Sequence, residues 1–141
     1  MRDIDQIVES FEFLDDWDAR YQYLMELGED LPAMPNKLKT EANWVKPCMS
    51  TVHVAAQRDS NDSNLIVFVG DCDTAIIKGV LALLIDLLSN RSLKEIQNMD
   101  VDSLFKRLQL EEHLSPSRHV GIYAIVDKMI ERASATSQCC H

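Results

Sequence analysis

The sequence predicts an α+β domain in which a small antiparallel β-sheet packs against helices. Two observations carry this prediction. Apolar residues recur at helical spacing towards both ends of the chain, and between them lie two short runs rich in β-forming residues, Thr51–Gln57 and Leu65–Val69. Helices precede and follow these strands rather than alternating with them, and no internal repeat is visible, which favours α+β over a wound α/β sheet. At 141 residues the chain suits one domain with its own core.

Ile4, Ile7, Val8 and Phe11 mark a first helix, and a second runs from Asp15 or Asp16 to Leu27 with Trp17, Tyr21 and Leu24 on one face. Gly28 is expected to stop it as a C-terminal cap. The stretch Glu29–Pro47 holds Pro32, Pro35 and Pro47 and reads as a long surface connection. The two strands, joined by the turn-forming run Asp59–Asn64, make a hairpin. Two strands alone are marginal, so either a third short strand near Asn43–Val45 or heavy helix cover is expected. Asp71–Leu88 reads as a mostly buried helix with Asp73 as its cap. Ser92 and Glu95 fit a capping box, and a short helix follows from about Asp102 to Leu108. The last helix has Ser115 at its cap and Pro116 at its first position, and runs through Val120, Tyr123, Val126 and Ile130. The pattern fades after Arg132, so the domain is expected to span 1–133 and 134–141 to form a disordered tail.

Fourteen Lys and Arg against twenty-three Asp and Glu leave a net charge of −9, which repels phosphate backbones and anionic lipid. Nucleic acid and membrane are therefore not expected partners. The longest purely apolar run, Val80–Ile85, falls far short of the ~20 residues a membrane span needs. Acidic residues from Asp3 to Asp18 break any signal-peptide pattern, so a cytoplasmic protein with reduced thiols is expected.

Four cysteines invite individual readings. Cys48 follows the irregular connection and precedes a strand, in Lys46-Pro47-Cys48-Met49-Ser50, where loops on rigid scaffolds hold functional groups. Cysteine is also among the most buried residue types, so local context leaves packing and chemistry both open. Cys72 lies between Asp71 and Asp73; carboxylates raise a thiol's pKa while a helix start lowers it, and a structural role is the expectation. Cys139, Cys140 and His141 offer soft-metal ligands, but on a terminal segment without an apolar anchor. His53 lies an odd number of residues from Cys48, which along a strand places the two on opposite faces. Asp71, Asp73 and Lys78 form either a carboxylate site or a helix cap, and capping explains both acids. Arg118, in the first turn of the last helix, opposes the local dipole, which suits either an outside role or a solvated side chain.

Several segments together resemble the SufE/CsdE family of sulfur acceptors that partner cysteine desulfurases in iron-sulfur cluster assembly. They are Trp17 and Tyr21 with Leu27-Gly28 and Leu31-Pro32, Val45–Ser50, Gly70-Asp71-Cys72-Asp73 with Ile77, Lys78 and Gly79, and His113-Leu114-Ser115-Pro116-Ser117-Arg118. The resemblance spans nearly the whole chain and implies a fold similar to the NifU-type scaffold proteins. It implies that Cys48 accepts a sulfane sulfur as a persulfide, stimulating the desulfurase, and that Arg118 steadies the thiolate or meets an acidic partner group. Asp71, Asp73 and Lys78 carry over as structural motif positions. The implied partners are a PLP-dependent cysteine desulfurase and a downstream iron-sulfur scaffold or other sulfur acceptor; no cofactor or metal is implied on this chain. The competing class is a cluster scaffold with Cys48 and Cys72 as ligands, which would need about four fixed ligands. Two departures stand out: Pro47 where the family usually has glycine, and Thr51-Val52-His53 where it usually reads glutamine or arginine, then valine and tryptophan.

Overall fold

The computed structural model describes residues 4–47 and 50–138. Helix α1 (Ile4–Phe13) buries Ile7, Val8 and Phe11, and α2 (Trp17–Glu29) starts where Asp16 accepts a hydrogen bond from the Ala19 N–H at 2.8 Å. Gly28 does not cap α2 as expected. It lies inside the helix without a positive φ, buried against α3 (Ala75–Leu88), where a Cβ would sit 2.9 Å from the Gly79 nitrogen. A Cβ on Gly79 would come within 2.1 Å of the Leu24 carbonyl oxygen. The two glycines thus let α2 and α3 meet backbone to backbone.

Strands β1 (Val52–Arg58) and β2 (Ile66–Cys72) pair antiparallel, from Val52 opposite Cys72 to Arg58 opposite Ile66. The segment expected as a third strand contributes an isolated bridge from Trp44 to His53. It is flanked by hydrogen bonds of 2.9 Å from Val45 N–H to the Val52 carbonyl and from Val54 N–H to the Asn43 carbonyl. Asp71 and Cys72 belong to β2 rather than to the following helix, because the ladder continues past them: the Asp73 N–H donates to the Thr51 carbonyl at 3.2 Å. The cap position of α3 is Thr74, and Asp73 is not its cap.

Helix α3 is the hub, with Val80, Leu81, Leu83, Leu84 and Leu88 essentially inaccessible between the sheet and the surrounding helices. Beyond it come α4 (Leu93–Gln97), with the Ser92/Glu95 capping box fully formed, α5 (Val101–Arg107), α6 (Leu110–His113) and α7 (Pro116–Gln138). Helix α7 lies along β1. The Tyr123 hydroxyl donates to Asp102 at 2.5 Å and ties α7 to α5; chiefly through that bond, its pKa is pushed up to about 12.

The expected loss of order after residue 133 is corrected for 134–138, which continue α7. The reason is tertiary: the Thr136 hydroxyl donates to the Ala56 carbonyl at 3.0 Å, and Arg58 Nε donates to the Thr136 carbonyl at 3.4 Å. Cys139, Cys140 and His141 lie outside the described residues. Among the described residues no helix is long and apolar enough to cross a membrane.

Candidate functional site

The hydrogen bond between Val45 and Val52, both fully buried, closes a loop of the six residues 46–51. Cys48 and Met49 lie outside the described residues, and the described stems on either side are Lys46-Pro47 and Ser50-Thr51. The second stem is clasped to the β2–α3 junction. The Thr51 N–H donates to Asp73 Oδ1 at 2.9 Å, and Ser50 Oγ lies 2.6 Å from Thr74 Oγ1. Thr74 gives its one hydroxyl proton to Asp73 at 3.3 Å, so Ser50 is the donor in a chain that runs Ser50 to Thr74 to Asp73. Asp73 therefore works as the acceptor that ends this chain, since a carboxylate can take several such bonds.

Cys72 sits beneath the clasp, with 5% of its surface exposed. Its sulfur accepts from the Thr74 N–H at 3.4 Å and donates to the Thr74 carbonyl at 3.6 Å. A cluster ligand at this position would be a thiolate and would give up the donation to the Thr74 carbonyl. Among the described residues no group of three or more His, Cys, Asp or Glu is arranged to hold a metal ion.

Asp71, opposite His53 in the ladder, joins Lys39 Nζ at 3.2 Å and Lys78 Nζ at 3.6 Å. It thereby fastens the long connection to the start of α3. Burial pushes its carboxyl up, but the Lys39 hydrogen bond and charge, the Cys72 N–H and the Lys78 charge outweigh this and hold the pKa below the ordinary aspartate value. A depressed carboxylate stabilises the fold above its unfolded pKa, and that contribution disappears as pH falls through the folded value. Lys39→Met should therefore be less stable than the parent at neutral pH, and the two should converge as the pH falls through the lowered folded value of Asp71. Urea unfolding across that range checks it; a gap that persists in acid would assign the effect of Lys39 to something other than Asp71.

Arg118 occupies the first turn of α7, where its N–H donates to Ser115 Oγ at 3.4 Å and its side chain is exposed. Among the described residues it forms no hydrogen bond or ion pair with Asp71, Asp73 or Lys78. The first stem rests instead further along α7: Glu41, Trp44, Lys46 and Pro47 face Asp127, Lys128 and Glu131 across a groove of about 430 Å³. At 100° per residue, the groove side of α7 is turned roughly 120° from Arg118. Lys46 Nζ meets Glu41 at 2.8 Å and lies 5.7 Å from the centre of the half-exposed Trp44 ring.

The early and late motif segments also meet, away from this clasp. The Trp17 ring stacks on His113 with centroids 3.7 Å apart, and the Tyr21 hydroxyl donates to the His113 carbonyl at 2.7 Å. Their work is to lock α2 to the end of α6, just ahead of α7. Sequence reasoning missed Lys39, Ser50 and Thr74. Thr74, a residue type favoured at helix starts and lying just before a long apolar run, was the findable one; nothing local to Lys39 points towards Asp71.

Residues 5–133 match the SufE family, described as an Fe-S metabolism associated domain. The chain belongs to the SufE family. A SufE-like protein of Rhizobium meliloti (strain 1021) is 36% identical over 135 residues, covering 94% of this chain and 96% of the relative. A SufE-like protein of Rhizobium etli is 35% identical over 134 residues, covering 94% and 90% respectively. The solution structure of a hypothetical protein from Thermus thermophilus superposes with a TM-score of 0.75 at 20% identity, over 96% of each chain, which shows that the two share a fold. Membership assigns this chain to Fe-S metabolism at the level of the family.

Proposed function

We propose that the protein accepts sulfane sulfur from a PLP-dependent cysteine desulfurase as a persulfide on Cys48, stimulates that enzyme, and passes the sulfur on for iron-sulfur cluster assembly. The observation that carries this reading is the clasp: a SufE-family chain spends Ser50, Thr51, Asp73 and Thr74 on fixing one stem of the short loop that holds Cys48. In the transfer step the Cys48 thiolate attacks the outer sulfur of the donor persulfide. A new S–S bond forms on Cys48, the donor's S–S bond breaks, and the donor cysteine leaves as a thiolate with the electron pair. Nothing is oxidised or reduced overall. Arg118, a fixed positive charge whose side chain has no described partner, supplies the attraction for the thiolate or for an acidic group of the donor. Asp71 and Lys78 serve by holding the framework around the clasp.

Alanine release from cysteine by a purified desulfurase tests this reading. Adding the protein should raise the rate, and Arg118→Ala should lower that stimulation by roughly tenfold, about 1.4 kcal/mol. A rate unchanged by the wild-type protein would remove the proposal. Asp73→Ala should cost about 1 kcal/mol of stability, since it removes the exposed hydrogen bonds from the Thr51 N–H and the Thr74 hydroxyl. It should also speed labelling of Cys48 by a thiol reagent, measured in a background with Cys72, Cys139 and Cys140 each changed to Ser; equal labelling rates would show that the clasp does not restrain the loop.

A further inference from the structure

Between α1 and α2 runs a groove of about 590 Å³ whose floor is Leu14 and Tyr23 and whose edges carry Phe13, Glu9 and Glu26. Phe13 is 85% exposed, a whole phenyl ring held in water at the lip of a concave surface. None of these residues takes part in the clasp or in either loop stem, so the groove stands apart from the sulfur-accepting role.

Charge separates the possible occupants. The groove lining carries Glu9 and Glu26 and, among the described residues, no lysine or arginine; from Ile4 to Asp30 there are nine acids and one base, with Asp5 offset by Arg107 at 3.4 Å. The one base, Arg20, is turned to the protein: its Nε donates to the Phe11 and Leu14 carbonyls, each at 3.1 Å, and Nη1 to Gln109 at 3.3 Å. A second copy would bring this acidic face against its like, and nucleic acid or anionic lipid would be repelled in the same way. A neutral apolar segment would desolvate the rim carboxylates without compensating them. We propose that the α1–α2 groove docks a basic amphipathic segment of a protein partner, with an apolar side chain on Phe13, Leu14 and Tyr23 and lysines or arginines facing Glu9 and Glu26.

A fluorescein-labelled helical peptide of roughly 18 residues, with leucines at i, i+3, i+4 spacing and lysines elsewhere, serves as the probe. Its anisotropy is followed at about 0.15 M salt, where long-range attraction is largely screened. Phe13→Ser and the double variant Glu9→Lys/Glu26→Lys should each weaken binding by about tenfold or more, whereas Glu112→Lys/Asp127→Lys, with the same change in net charge, should stay within about twofold. The same peptide with serine for every leucine should bind about tenfold weaker or worse. All the substituted side chains are exposed, and melting curves confirm that the variants fold. The proposal is overturned if Phe13→Ser binds like the parent, or if the Glu112/Asp127 reversal weakens binding as much as the Glu9/Glu26 reversal. It is equally overturned if the parent sediments as a dimer that Phe13→Ser dissociates, which would make a second copy the occupant.

Discussion

Cys48→Ser abolishes persulfide acceptance and desulfurase stimulation, a loss of at least ~10³-fold, while the melting temperature stays within a degree or two of the parent. The reasoning is chemical: a serine hydroxyl at neutral pH offers almost no oxyanion, and a hydroxyl cannot carry a sulfane sulfur through thiol exchange. The clasp, the Val45–Val52 closure and the Asp71 ion pairs all lie outside the substituted residue, so the framework persists. Cys72→Ser supplies the contrast. It keeps a small polar side chain between the Thr74 N–H and carbonyl and should retain most of the activity. Activity that survives in Cys48→Ser and vanishes in Cys72→Ser would move the sulfur site to the buried thiol.

Gly79→Ala lowers stability by about 3 kcal/mol, with a fall of roughly 10 °C in Tm. Two effects oppose each other here and their sizes decide the sign. Alanine in a helix interior is favoured over glycine by about 1 kcal/mol. Against that, the new Cβ would stand 2.1 Å from the Leu24 carbonyl oxygen and 2.6 Å from its carbon, and these are backbone atoms of a packed helix. They cannot rotate away as a side chain would, so α2 must move off α3 and the buried contacts of Leu24 and Leu27 loosen with it. Thermal unfolding read by circular dichroism checks this. A Tm equal to or above the parent's would show that propensity wins and that the two helices are not in backbone contact.

Features fixed by residues a few positions apart were legible in the sequence. The Ser92/Glu95 capping box, Pro116 at the first position of α7 and the apolar wrap of α3 all formed as their spacing predicts, because each depends on one turn or one helix face. Features set by distant partners were not. The strand reaches Cys72 because Thr51 receives Asp73 across the ladder, twenty-two residues away. Helix α7 runs to Gln138 because Thr136 finds Ala56, eighty residues earlier. Gly28 looked like a helix stop because glycine usually is one, and only the approach of Gly79 shows why it stays inside α2. The site divides along the same line. Cys48 stood out as a candidate once the surrounding segments were taken together, and Asp71 and Lys78, named together as motif positions, form an ion pair rather than a helix cap. The roles of Asp73, Ser50 and Thr74 needed the fold, since their hydrogen bonds join two segments more than twenty residues apart.

Incubation of the protein with a purified cysteine desulfurase and cysteine, followed by alkylation, proteolysis and mass spectrometry, tests the proposed sulfur acceptance most directly. The expected product is an addition of about 32 Da, one sulfur atom, on the peptide that contains Cys48, dependent on both enzyme and cysteine. The same mass on the peptides of Cys72 or of Cys139 and Cys140 with Cys48 unmodified, or no adduct on any cysteine, would contradict it.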